Sequence, residues 1–137
     1  MLRLALGYAV LAMLTWGIWS VLATLATRSM PPALAMVISY GTGAAIALAY
    51  VFANRGNLAL PTDGVLLAAG AGIFAGIGGV AFYAGLQTGR SAVVTTVSAL
   101  YFVVAAVIGV VVLGETVDAY DVAAVGFAML AVALFAR

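Results

Sequence analysis

Four stretches of this chain, residues 4–27, 33–53, 64–86 and 92–113, run on without one charged side chain. Each is long enough, at about 20 residues, to cross a hydrocarbon layer of about 30 Å. A backbone placed in lipid has no water to bond to, so segments of this kind must close their hydrogen bonds internally, as helices. Composition agrees: 67% of residues are hydrophobic and 7% charged, an apolar load no soluble domain of 137 residues could bury. The first stretch is read as a membrane helix rather than a cleaved leader. It is too long for a leader, Tyr8 and Trp16 interrupt its apolar core, and no polar domain follows.

Punctuation between the stretches fits the same reading. Arg3 and Arg28 bracket the first, and Pro31-Pro32 ends one helix and opens the next, since proline is tolerated in a first turn but not inside. Asn54-Arg55-Gly56-Asn57 and Pro61-Thr62-Asp63-Gly64 are rich in turn residues, with Thr62 or Asp63 as a candidate cap for the third helix. A fifth helix is expected over residues 119–136. Its stretch from Phe127 to Phe135 has no polar face, which disfavours an interfacial tail. The expected fold is therefore an all-α integral membrane protein, a bundle of five transmembrane helices forming a single domain over residues 1–137.

An odd number of helices puts the termini on opposite sides. One side carries Arg3 and Arg55 with Asp63, Glu115, Asp118 and Asp121; the other carries Arg28, Arg90 and Arg137 with no acid. Orientation follows basic residues, and two against three leans towards a cytoplasmic location for Arg28, Arg90 and Arg137. So narrow a margin also permits insertion both ways.

Several chemistries are excluded outright. With no cysteine and no histidine, disulfides, thiolate metal sites and the usual zinc and haem ligands are missing, and no metal or cofactor is expected. A net charge of +1 without a basic run removes the electrostatic basis for nucleic-acid binding. No ionisable residue stands mid-span, which argues against an ion pump, a voltage sensor or an obligate proton relay. No serine stands with a base, so an enzyme is not expected.

What remains is a set of aromatic and hydroxylated side chains inside the spans. Trp16 and Trp19 lie well within the first helix, where an indole N–H must find a partner. Tyr40, Tyr83 and Tyr101 pose the same question for their hydroxyls. Thr95, Ser98, Phe102 and Gly109 recur at helical steps and share a face; the hydroxyls there either bond back to their own helix or line a polar wall. The third helix holds Gly64, Gly70, Gly72, Gly76, Gly78, Gly79 and Gly85, and Gly72 with Gly76 makes a GxxxG pair suited to close helix packing. Glu115 reads as a helix exit more than a proton carrier. The candidate substrate-binding residues are Trp16, Tyr40, Tyr83, Thr95, Ser98 and Tyr101, a set that suits a neutral or amphipathic solute.

The segment from Phe82 to Glu115 resembles the EamA-type family of the drug/metabolite transporter superfamily. Tyr83-Ala84, Gly89, the small and hydroxylated run from Ser91 to Ser98, and Leu113-Gly114-Glu115 carry the resemblance, and Gly126 and Trp16-Gly17 extend it. Phe102 departs from the family, which often has proline after the Leu100-Tyr101 position, so a hinge there is not carried over. The resemblance implies one five-helix repeat of a small-solute transporter in the cell membrane. Most members hold two repeats of opposite orientation, so a single repeat implies a homodimer, antiparallel if the near-even arginine count reflects dual insertion. The alternatives are a lipid flippase and a membrane assembly subunit without transport activity.

Overall fold

The computed structural model describes residues 2–54, 59–114 and 116–135. Arg55, Glu115 and Arg137, which entered the charge count and the reading of the helix exit, lie outside the described residues. Six α-helices, α1 (Leu2–Thr27), α2 (Pro32–Ala53), α3 (Thr62–Thr88), α4 (Ser91–Ala99), α5 (Tyr101–Ile108) and α6 (Ala119–Phe135), and a π-helical turn (Gly109–Leu113) make up the described chain, with no strand among the described residues. α4, α5 and the π turn share one apolar span, Ser91–Leu113. The protein is all-α, with four spans long and apolar enough to cross a membrane and a shorter apolar α6. Contacts divide the chain into two units, meeting between Thr88 and Gly89.

In the first unit α1, α2 and α3 pack on one another pairwise. α1 closes with tightened bonds: the N–H groups of Ser29 and Met30 both donate to the Ala26 carbonyl, at 3.0 and 3.1 Å. This satisfies carbonyls that a helix end leaves open. Pro31 is extended, with φ −57° and ψ 137°, and its carbonyl accepts from Leu34 and Ala35, so the proline pair sits where one helix gives way to the next. α3 starts two residues earlier than expected. The Pro61 carbonyl accepts its first bond, from Val65 at 3.0 Å, so Thr62 and Asp63 lie in the first turn rather than at the cap. Asp63 there faces the positive end of the helix.

Close packing of α3 rests on a glycine other than the expected pair. A Cβ added at Gly72 or Gly76 would meet nothing within 4 Å. At Gly79 it would lie 2.7 Å from Met36 Cε and 2.8 Å from Tyr40 Oη. Met36 and Tyr40 stand one turn apart on α2, so both reach over the bare backbone of Gly79.

The second unit is built differently. The span Ser91–Leu113 is not one regular helix. At Leu100 (φ −63°, ψ −3°) the bonds shorten to a three-residue step, Leu100 N–H to the Val97 carbonyl and Val103 N–H to the Leu100 carbonyl. A break thus occurs beside Phe102 without a proline. The π turn then ends at Gly114, whose φ of 70° is the left-handed conformation that glycine adopts without a Cβ penalty. α6 is opened by a reciprocal cap: Asp118 Oδ1 accepts from the N–H of Tyr120 (2.7 Å) and Asp121 (2.9 Å), while Asp121 Oδ2 accepts from Asp118 N–H (3.0 Å). Asp118 and Asp121 therefore satisfy the open donors of a helix start. α4 packs against α6.

Candidate functional site in the three-helix unit

The residue around which the first unit closes is Tyr83. It is 1% exposed and is the largest fully buried side chain among the described residues. Trp19 of α1 packs its indole flat on Phe82, with ring centroids 5.3 Å apart and planes 11° from parallel, and meets Tyr83 edge-on at 5.9 Å. Phe82 and Tyr83 are themselves edge-to-face at 6.2 Å. Aromatic pairs in these geometries add about 0.5–1.5 kcal/mol beyond their buried area. The indole Nε1–H donates to Ser39 Oγ at 2.9 Å, which joins α1 to α2. An indole inside a span must place its N–H against a partner, and Trp19 does so through a serine that periodicity alone did not single out.

Other hydroxyls nearby are spent on their own backbones. Ser20, Thr24 and Thr27 form a buried seam along α1, donating to the carbonyls of Gly17, Ser20 and Thr24 at 2.8, 2.8 and 2.9 Å. Thr42 donates to the Ile38 carbonyl at 2.9 Å. Tyr83 is different: its buried Oη has no hydrogen-bond partner. A hollow of about 420 Å³ lies between α1 and α2, lined by Trp19, Ala26, Ile38, Ser39, Thr42 and Tyr83. No charged side chain lines it.

The cluster lies in the half of the unit that carries Arg28. At 1.5 Å per residue, Trp19, Ser39 and Tyr83 stand about 7 to 12 Å inside the ends of their helices, at the end of the unit that carries Arg28. Gln87 closes that end, its Nε2 donating to the Thr27 carbonyl at a long 3.5 Å.

Of the six residues expected from sequence, the structure brings Tyr40 and Tyr83 together on the two sides of the α2–α3 contact. Tyr40, 43% exposed, rests its hydroxyl above Gly79, one turn before Tyr83. Trp16 is 60% exposed and lies outside the aromatic cluster; its neighbour Trp19 holds that place. In the second unit Thr95 is half-buried and its Oγ1 lacks a partner, so it does not bond back to its own helix. Ser98 is exposed and Tyr101 is 63% exposed. A hollow of about 570 Å³ in that unit is lined by valines, Phe102 and Asp121, whose carboxylate is already engaged in the α6 cap. Among the described residues, no group of acidic side chains could hold a metal ion.

Trp19, Ser39 and Phe82 were the residues that sequence reasoning left out of the site. The available signal was the indole's need for a polar partner, which applies to Trp19 as strongly as to Trp16.

The model of the EamA-like transporter family covers residues 3–137, while no curated protein and no solved structure matches. The family match covers nearly the whole chain, and with its apolar spans the chain belongs to the EamA-like transporter family.

Proposed function

We propose that this protein moves a small, uncharged organic solute across the cell membrane by alternating access, as an antiparallel homodimer of single repeats. The observation that carries the reading is the buried, unpartnered phenol of Tyr83 in the three-helix unit, beside an uncharged hollow, in a chain of a transporter family. A buried polar group without a partner costs about 1–3 kcal/mol, a cost that a bound solute can remove. In this reading Tyr83, Tyr40 and Trp16 are the candidate substrate contacts of the first unit, and Thr95, Ser98 and Tyr101 those of the second, each unit taken by itself. Thr95 offers a second unpartnered hydroxyl.

Alternating access needs two halves that exchange which side is open. A single repeat supplies one half, so a second copy of opposite orientation supplies the other. The even spread of arginines supports that arrangement, because it gives neither orientation a strong advantage.

A thermal-shift screen of purified protein against neutral metabolites and drugs identifies ligands, since binding to the folded state raises the melting point by mass action. Uptake into proteoliposomes then tests transport. Counterflow of a stabilising ligand is expected, reduced at least several-fold by combining Tyr83→Phe and Thr95→Val. Uptake no faster than in empty liposomes for every stabilising ligand would overturn the reading. C-terminal reporters specific for each compartment test the orientation: activity on both sides is expected, and strictly one-sided activity would remove the antiparallel dimer.

A further inference from the structure

We infer that the hydroxyl of Ser39 donates a hydrogen bond to a small uncharged solute in the hollow between α1 and α2, through an oxygen acceptor such as a carbonyl. The inference rests on the proposed function for its setting, and it names the group by which the solute is recognised.

The hydroxyls of α1 and α2 follow one rule with one exception. Thr15, Ser20, Thr24, Thr27 and Thr42 each donate to a carbonyl of their own helix, at 2.8 to 3.0 Å. Lipid offers a hydroxyl nothing better, so the proton turns back to the backbone. Ser39 does not. Its oxygen accepts the Trp19 indole N–H at 2.9 Å, and among the described residues its own proton meets no acceptor. The indole also polarises that hydroxyl, because each bond in a chain of hydrogen bonds strengthens the next.

Ser39 is within reach of a ligand. It is half-buried rather than sealed, and it stands in the wall of the hollow. A serine carries its hydroxyl one carbon from the backbone, with no apolar body to shield it. The other polar groups of the wall are spent or closed off. Thr42 donates to its own helix, the Trp19 N–H is spent on Ser39, and the Tyr83 hydroxyl is sealed from the surface.

Charge, size and depth narrow the occupant. No charged side chain lines the hollow, so nothing there compensates a cation or an anion for leaving water. A volume of about 420 Å³ falls within the usual ~300–1,000 Å³ of small-molecule sites. α2, with 22 residues, spans about 33 Å, close to the thickness of the hydrocarbon layer. Ser39 stands about 10 Å inside its first residue, below the boundary where the ester carbonyls of phospholipids lie. A free solute with an acceptor on an apolar body therefore fits better than a lipid ester.

Benzophenone and diphenylmethane are suitable probes, since the second has nearly the same body without the carbonyl. Full-length protein is placed in nanodiscs of diether phospholipid, and the affinity of each radiolabelled probe is measured with empty discs subtracted. Saturable binding of both is expected. Ser39→Ala should weaken benzophenone about 3- to 10-fold, the range one hydrogen bond supports, and leave diphenylmethane unchanged. Ser39→Cys, of similar shape but a weaker donor, should fall between Ser39→Ala and the parent protein. Equal benzophenone affinity in all three proteins, an equal loss for both probes, or no saturable binding would each overturn the inference, whatever the transport assay shows.

Two further measurements use the parent protein. The carbonyl stretch of bound benzophenone, isolated by carbon-13 labelling, should lie at lower frequency than that of benzophenone in empty discs, and an unshifted band would overturn the inference. Binding is then repeated in diester discs. Unchanged affinity supports a free solute as the occupant. Weaker binding there, with the difference lost in Ser39→Ala, would give the place to a lipid ester and overturn the assignment to a solute.

Discussion

The two units of this chain solve the problem of a backbone in lipid in different ways. Residues up to Thr88 form three uninterrupted helices that pack pairwise, with Tyr83, Leu86, Ala35 and Ala23 buried among them. From Gly89 onward the span is broken at Leu100, loosened into a π turn, and followed by an α6 of 17 residues. Gly109 is the one buried residue among those described there. In the first unit, regular backbone leaves side chains to make the specific contacts between helices. In the second, backbone irregularity and capping make the specific features, and side-chain burial within the unit is slight. Helices with so little internal burial need lipid or protein neighbours to cover them.

That contrast can be broken most forcefully at Gly79. Gly79→Leu should destabilise the protein by about 1–3 kcal/mol, because the added side chain meets Met36 and Tyr40 in an already filled contact. Gly72→Ala, with open space around it, should stay within about 0.5 kcal/mol. Equilibrium unfolding in mixed micelles checks both, and equal effects would dissolve the distinction between the two glycine positions.

In the second unit the corresponding test is conformational. Gly114→Ala forces a Cβ into the left-handed region, at a cost of about 1–2 kcal/mol without removing any contact. The same unfolding assay should report it, and no change would mean that the turn readily adopts another geometry. Asp118→Ala should cost about 1 kcal/mol through loss of the α6 cap, and hydrogen exchange should quicken at Tyr120 and Asp121 but not in α1 to α3. Exchange that quickens in the first unit as well would show that the effect of the cap is not confined to α6.

The smallest effect sharpens the side-chain half of the comparison. Ser39→Ala removes the acceptor for Trp19 Nε1–H and should cost about 0.5–1.5 kcal/mol, with a change in the Trp19 fluorescence emission as its indole seeks another partner. An unchanged emission spectrum would show that the bond does not hold the indole in place.

Much of the architecture was legible because lipid imposes a simple rule. Charge-free runs of sufficient length have to be helices, so the positions of the spans, the proline pair between α1 and α2, and the acidic start of α6 could all be read from residue order. The break at Leu100 could not. It needs no proline, and three-residue bonding at one position leaves no mark in a run of apolar residues. For the candidate site, the rule that a polar group inside a span needs a partner pointed to Tyr40 and Tyr83, which face each other across the α2–α3 contact, but it applies equally to Trp16 and Trp19 and could not choose between them.

Sequence by itself determined that the chain is a set of apolar helices without charge, thiol or imidazole chemistry, because those properties belong to residue types and run lengths. Only the tertiary structure decided which glycine carries the close approach, which tryptophan bridges to α2, and which hydroxyl is left without a partner. Those depend on the rotation and tilt of one helix against another. Small apolar residues on every face of α3 leave that rotation undetermined by pattern, and the contact of Met36 and Tyr40 with Gly79 sets it.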